Sequence, residues 1–204
     1  MLTPAEINRR SALHGIMMAL GASVVAGCGY MPGSSARASF SDAQLAVLES
    51  FADTMIPQTD TAGAVQAGVP KRLAKMYTDW ASDDTRAELS GALDRLAESA
   101  QSNTRNTFSE LSAEERLTLL QRHDKAALTP IEPKPGAPRG TFLSPIPSVL
   151  DVGYHKLKQL VLNLHYSSEV GLTSELVYEH VPGTWQPSIK VTPGMRPFAS
   201  LGPF

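Results

Sequence analysis

FSDAQLAVLESFADTMIP, residues 40–57, is the stretch that decides the fold class. Ser41 and Gln44 have the spacing of a helix capping box, and Phe40 with Leu45 has the spacing of a hydrophobic staple. Apolar residues then recur at helical spacing until Pro57 ends the pattern. The residues expected to share the apolar face are Leu45, Leu48, Ala52 and Met55. The stretch therefore predicts an amphipathic α-helix.

Comparable signals predict four more helices. Pro70 stands at a first helical position, Asp83 and Asp84 suit the start of the next helix, and Ser112 with Glu115 forms a second capping box. No convincing alternating strand pattern occurs before residue 170, so we predict an all-α fold, a small irregular helical domain. The residues expected to face its core are Leu73, Met76, Tyr77 and Trp80, then Leu89, Leu93, Leu96 and Ala100, then Leu117, Leu120 and Ala127 or Leu128, and finally Leu150, Tyr154, Leu157, Leu160, Val161 and Leu164.

Two segments are too rich in proline for regular structure. The first, residues 129–147, contains six prolines and predicts a long loop. Residues 176–178, just before the second, predict a short extended piece. From about residue 178 an extended arm follows, in which dense proline excludes helix and central strand. The arm nevertheless keeps large apolar residues, so it packs on the helical core, lies on another protein, or does both. The residues we expect at a partner interface are Tyr178, Trp185, Phe198 and Phe204.

The first residues have the pattern of an export signal. Arg9 and Arg10 precede a short apolar run over residues 16–26, which is shorter than the roughly 20 residues of a spanning helix. An arginine pair directly before such a run favours the twin-arginine route over an ordinary secretory signal with two chance arginines. We therefore predict a signal segment over residues 1–38, a single domain over residues 39–204, and a periplasmic location.

Two processing sites remain open. Residues 25–28 read VAGC, which matches a lipobox ending at Cys28, whereas residues 36–38 read ARA, which matches an ordinary cleavage site. Cys28 is the only cysteine, so an intrachain disulfide, a thiolate metal cluster and a CxxCH haem site are excluded. Without the charged residues of the signal segment, 15 basic residues face 19 acidic ones, and this balance does not indicate a nucleic-acid surface.

A search for catalytic chemistry finds no specific motif. The sequence has no dinucleotide or phosphate loop, no nucleophile elbow and no HExxH zinc motif. His155 and His165 would point about 80° apart on one helix, so a shared metal is not expected. His165 and Glu169 are four residues apart and predict a local hydrogen bond. Asp60 reads as a helix N-cap. We predict no catalytic residue, no cofactor-binding residue and no metal ligand in this chain.

Two stretches resemble a known family. FADTMIPQTDTAGA at residues 51–64, closing with AGVP at 67–70, resembles the opening motif of the gluconate 2-dehydrogenase subunit 3 family. YSSEVG at 166–171, followed by LVYEHVPGTW at 176–185, resembles its closing motif. Below, these are called the opening and closing motifs.

The resemblance implies a non-catalytic small subunit. In that family it accompanies a large FAD-dependent flavoprotein of the glucose-methanol-choline (GMC) type that oxidises sugars, sugar acids or alcohols, and a multihaem cytochrome c often takes the electrons. The small subunit's twin-arginine signal commonly exports the pair, and the complex associates with the membrane. Two alternatives stay open: a free-standing envelope lipoprotein that binds a ligand or scaffolds a complex, and an enzyme that uses His165 or Glu169.

Overall fold

The computed structural model describes residues 38–133, 135–136, 147–178, 183–184 and 187–199. Within these ranges the chain forms five α-helices and no strand, which confirms the predicted all-α fold. The helices are α1 (Asp42–Met55), α2 (Val69–Asp79), α3 (Asp83–Thr104), α4 (Ala113–Ala127) and α5 (Val152–Tyr166), with a 3-10 turn at Phe108–Glu110 and a π-helical turn at Gly171–Glu175. None of the described helices has the length and apolar character needed to cross a membrane.

Both predicted capping boxes are present. At the start of α1, the Gln44 amide N–H donates to the Ser41 hydroxyl over 3.2 Å, and the Ser41 N–H donates to the Gln44 side chain over 3.1 Å. At the start of α4, the Ser112 N–H donates to the Glu115 carboxylate over 2.9 Å. Each pair satisfies two backbone donors that a helix end would otherwise leave without a partner. These short polar motifs therefore set where the helices begin.

Phe40, the first residue of the predicted staple, packs on an aromatic ring of α2. Phe40 is buried and stacks on Tyr77 of α2 with ring centroids 3.8 Å apart, whereas Leu45 is 36% exposed. The buried face of α1 is centred on Leu48 and Phe51. Leu45 lies at the edge of that face, and a second aromatic ring offers Phe40 a larger apolar contact than Leu45 does.

Several residues predicted to face the core are exposed. Trp80 is 84% exposed because α2 ends one residue before it, and Leu150 is 65% exposed because it precedes α5. On α4 the predicted Leu120 and Ala127 are buried together with Leu119, while Leu117 is exposed because it points to another side of the same helix. Met76 on α2 is also exposed. All four predicted core residues of α3 are buried.

Helices α3 and α5 cross closely at the centre of the domain. A Cβ added to Gly153 would lie 2.4 Å from the carbonyl oxygen of Glu88, so only glycine allows this approach. Tyr154, the next residue, is fully buried, and its ring meets the Phe51 ring edge-on with centroids 5.9 Å apart. Phe108 in the 3-10 turn is also fully buried. The core thus joins all five helices.

The proline-rich loop begins and ends in a short antiparallel backbone pairing. The Ile131 N–H donates to the carbonyl of Ser148 over 2.9 Å, and the Leu150 N–H donates to the carbonyl of Thr129 over 3.0 Å. These bonds surround a bridge between Pro130 and Val149. Most of the intervening residues lie outside the described ranges. The loop is therefore closed at its base, directly before α5 begins.

Candidate functional site

The opening motif folds into a tight loop between α1 and α2. The Ala64 N–H donates to the carbonyl of Ile56 over 2.9 Å, which closes the loop on the end of α1. A Cβ on Gly63 would lie 2.6 Å from that carbonyl oxygen, so the turn requires glycine. Gly68, with φ of 72°, is the N-cap of α2. Asp60 is exposed in a bend and is not the helix N-cap that the sequence predicts, because α2 begins nine residues later.

The closing motif redirects the chain just after α5. The Ser168 hydroxyl is buried, donates to the carbonyl of His165 over 2.6 Å and accepts from the N–H of Gly171 over 3.0 Å. A Cβ on Gly171 would lie 2.3 Å from the same His165 carbonyl oxygen. The turn from α5 into the π-helical turn thus depends on a small hydroxyl residue and a glycine.

The two motifs meet through Glu175. Its carboxylate oxygen Oε1 lies 3.1 Å from Nε2 of His165, which is fully buried, and it accepts from the hydroxyl of Thr61 over 3.3 Å. Thr61 and Glu175 are 114 residues apart in the chain. The Tyr166 ring meets the His165 ring edge-on, with centroids 5.1 Å apart. We call these four residues the motif junction.

Within the motif junction, the surroundings of the Tyr166 hydroxyl change its pKa. Burial, and then the Glu175 carboxylate, raise the pKa of the Tyr166 hydroxyl above its usual value, so this phenol stays protonated at neutral pH. The bond between His165 and Glu175 joins the ring nitrogen Nε2 to a carboxylate oxygen. His165 has no exposed surface. It can therefore position the closing motif, but a substrate in solution cannot reach it.

The predicted local bond between His165 and Glu169 is wrong. Glu169 is exposed, and the carboxylate that reaches His165 belongs to Glu175. The four-residue spacing fails because α5 ends at Tyr166, before Glu169. No group of three or more potential metal ligands occurs among the described residues.

The C-terminal arm returns to the closing motif. The Val177 N–H donates to the carbonyl of Pro197, and the Ala199 N–H donates to the carbonyl of Val177, both over 2.9 Å. The guanidinium of Arg196 donates to the carbonyls of Thr173 and Ser174, over 3.3 and 2.8 Å. The predicted short extended piece is thus a single parallel bridge to the arm. Part of the arm packs back on its own domain.

Aromatic side chains remain exposed on this bridge. Tyr178 is 43% exposed and Phe198 is 51% exposed, although the backbone beside each is hydrogen-bonded. Trp185 and Phe204, predicted for the same interface, lie outside the described residues. So do Arg9, Arg10 and Cys28 of the predicted export segment. Their assignment to an interface or a signal remains a prediction.

A second polar cluster lies where α3, α4 and the start of α5 meet, beside an open hollow of about 730 Å³. The Arg95 guanidinium forms two 2.7 Å hydrogen bonds with Asp151, and Asp151 caps α5 by accepting from the Tyr154 N–H over 2.9 Å. Burial alone would raise the pKa of Asp151, but the bonds from Arg95 and Tyr154 lower it overall. Burial lowers the pKa of His123. The His123 ring meets the Tyr154 ring edge-on, with centroids 4.7 Å apart.

This cluster has a structural role that its contacts explain. Asp151 begins a helix and Arg95 ties that helix to α3, so both charges are used within the fold. The N-cap rule applied to Asp151 would have found the first role from sequence. The pairing with Arg95, 56 residues away, has no local signal.

Comparison of the chain with known proteins gives a match to a family. Searches of curated proteins and of solved structures find no match. The family described as gluconate 2-dehydrogenase subunit 3 matches residues 42–183, which is more than two thirds of the 204 residues. That range contains the opening motif, the closing motif as far as Gly183, and every member of the motif junction. The chain therefore belongs to the gluconate 2-dehydrogenase subunit 3 family.

Proposed function

We propose that the chain is the non-catalytic small subunit of a periplasmic, membrane-associated dehydrogenase. Its partner is a GMC-type flavoprotein that carries FAD and oxidises a sugar, sugar acid or alcohol, and a multihaem cytochrome c is a possible third subunit. Family membership supports association with the catalytic subunit of a dehydrogenase. In this proposal the small chain holds no cofactor, because its role is to bind, stabilise and export the flavoprotein.

The observation that carries the proposal is the exposed aromatic surface at the end of the arm. Phe198 and Tyr178 are about half exposed, yet the arm is tied to Val177 by backbone hydrogen bonds and to the π-helical turn by Arg196. A side chain on an already ordered backbone loses less conformational entropy when it binds a partner. Aromatic residues are also enriched at the centres of protein interfaces. In this proposal the π-helical turn and Val177 hold the arm in place, and the arm presents the binding surface.

The energetic effect of Phe198 can be approximated from its exposed area. Half of a large aromatic side chain corresponds to about 100 Å², and burial at about 25 cal/mol per Å² contributes about 2.5 kcal/mol. Truncating a central aromatic residue of an interface typically costs about 2 kcal/mol or more, which is roughly a thirtyfold loss of affinity. Such a loss is large enough to remove the partner during purification.

The test is affinity purification from membranes, with the co-eluting flavin measured by its absorbance. We expect Phe198→Ala to reduce flavoprotein recovery strongly while the helical circular dichroism of the small subunit is unchanged. Leu117→Ala is the matched control, because Leu117 is 46% exposed on the separate helix α4. Trp185→Ala should behave like Phe198→Ala. Wild-type recovery from Phe198→Ala, or equal losses from Phe198→Ala and Leu117→Ala, would contradict the proposed interface.

The export role follows from the same partnership. A flavoprotein must fold around its cofactor before export, so a route for folded proteins is needed, and one signal can serve two bound chains. Changing Arg9 and Arg10 to Lys should retain both subunits in the cytoplasm. Normal periplasmic amounts of both subunits from this double variant would refute the twin-arginine assignment.

The lipobox is tested separately by mass. If Cys28 is acylated, the Cys28→Ala variant should lack a lipid-sized mass. It should also leave the membrane fraction when it is not bound to the rest of the complex. A mature N-terminus at Ser39 would instead establish cleavage after Ala38.

A further inference from the structure

Helix α2 carries its charges in the order that its own dipole disfavours. Lys71 and Arg72 lie in its first turn, and Asp79 is its last residue. Acidic residues stabilise helix N-termini and basic residues stabilise C-termini. Helices α1, α3 and α4 follow this rule, since each has acidic residues in its first turn. The reversed order in α2 therefore does not serve the stability of α2 itself.

Apolar side chains are exposed on the side of α2 that carries these charged residues. Trp80 is the most exposed of the large hydrophobic residues described, and Met76, one turn earlier, is 42% exposed. Both border a hollow of about 370 Å³, whose apolar walls include Leu89 and Leu160 from α3 and α5. At 3.6 residues per turn, the exposed residues occupy about half of the helix circumference. We call this surface the α2 face: Lys71, Arg72, Lys75, Met76, Asp79 and Trp80.

Acidic residues continue the surface beyond Trp80. Asp83 and Asp84 are exposed in the first turn of α3, and the side chain of Asp83 is 99% exposed although it also contacts Arg86. Within α2, Lys75 already pairs with Asp79 over 2.6 Å. The surface is therefore basic at one end, apolar in the middle and acidic at the other end.

A surface with this order of charges is complementary to itself. When a second copy is rotated by 180° about an axis near Met76, the basic end of each copy faces the acidic end of the other, and this contact occurs twice. The two helix dipoles then run antiparallel, and each Trp80 packs against the other copy. We infer that two copies of this chain associate through the α2 face in a twofold arrangement. The surface has fewer than the 20–30 residues per partner of a standard interface, so we expect a weak dimer.

The dimer is independent of the proposed flavoprotein interface. That interface uses Phe198 and the arm, whereas the dimer uses α2. Phe198→Ala should therefore leave the dimer intact, and Trp80→Ala should leave flavoprotein recovery intact. Failure of one proposal does not imply failure of the other.

Cross-linking in cells that produce the full chain tests the dimer without dilution. In a Cys28→Ala background, an introduced cysteine is the only thiol. Met76→Cys, treated with a short bismaleimide, should give a covalent dimer on a gel. Leu117→Cys is the matched control, because Leu117 is similarly exposed on α4, and it should give at least tenfold less dimer. Adding Trp80→Ala to Met76→Cys should reduce the yield at least tenfold with unchanged circular dichroism.

Charge reversal then tests the antiparallel arrangement. Lys71→Glu with Arg72→Glu should reduce cross-linking through Met76→Cys, since like charges now face each other. Adding Asp83→Lys and Asp84→Lys should restore it, a rescue that damage to the fold would not show. The inference is overturned if Met76→Cys gives no more dimer than the control, or if the second reversal lowers the yield further. It is also overturned if Trp80→Ala leaves cross-linking unchanged and releases the flavoprotein, because the α2 face would then bind the catalytic subunit.

Discussion

Removing the Glu175 side chain tests whether the motif junction holds the two family motifs together. Glu175→Ala deletes the carboxylate that bonds to His165 Nε2 and accepts from the Thr61 hydroxyl. His165 has no exposed surface, so its Nε2 cannot take up water without a local opening of the closing motif. We expect lower stability, and local loosening around residues 58–63 and 166–177.

The magnitude follows from the burial of the donor. Leaving a buried polar group without its partner costs about 1–3 kcal/mol. The Thr61 bond is long at 3.3 Å and part-buried, so we expect it to add little. A loss of about 2 kcal/mol in a domain of this size lowers the melting temperature by about 4–8 °C. Thr61→Val alone should lower the free energy of unfolding by less than about 1 kcal/mol.

Thermal unfolding and amide hydrogen exchange measure the two expected effects. Glu169→Ala is the matched control, because Glu169 is an exposed glutamate six residues earlier. The double variant Thr61→Val/Glu175→Ala should be no less stable than Glu175→Ala, since the shared bond is already absent. A melting temperature for Glu175→Ala equal to that of Glu169→Ala would refute the reasoning, as would faster exchange confined to only one of the two motifs.

Three further substitutions have defined outcomes. Gly91→Ala in the interior of α3 places a Cβ 3.0 Å from Nη1 of Arg95, which is not one of the two nitrogens bonded to Asp151, and should raise the free energy of unfolding by about 0.5–1 kcal/mol in urea denaturation. Gly171→Ala places a Cβ 2.3 Å from the His165 carbonyl oxygen and should lower the melting temperature; an unchanged value would show that the turn can relax. Burial depresses the pKa of His123 below the usual 6.5. As the pH falls below 6.5, the unfolded chain therefore binds more protons at this residue than the folded chain does. The free energy of unfolding should therefore fall between pH 7 and pH 5, and His123→Gln should flatten that dependence.

Helix starts were predictable because they depend on residues three positions apart. The capping boxes at Ser41 and Ser112 are read directly from sequence and are present in the structure. The same rule applied to Thr107 and Glu110 would have found the 3-10 turn that buries Phe108. Helical spacing alone did not reveal where a helix ends or which of its sides is buried. Trp80 lies beyond the end of α2, and Leu117 points away from the buried side of α4.

The motif junction was not predictable from local rules. His165 and Glu169 obey helical spacing, but that rule holds only while the helix continues, and α5 ends at Tyr166. The π-helical turn then brings Glu175 back to His165. The Thr61 contact spans 114 residues and depends on how the α1–α2 loop packs in three dimensions. Family resemblance identified the two motifs, whereas the structure supplied the reason that they occur together.

Part of the C-terminal arm lies outside the family match but bonds to residues inside it. The match ends at residue 183, yet Pro197 and Ala199 bond to Val177, which lies inside the matched range. Arg196 likewise bonds to carbonyls of the π-helical turn, next to Glu175. The part of the chain shared with the family therefore holds a segment that the family match does not include. Phe198 lies on that segment and is half exposed, so the partner contact that we propose for it would lie outside the range that the family match covers.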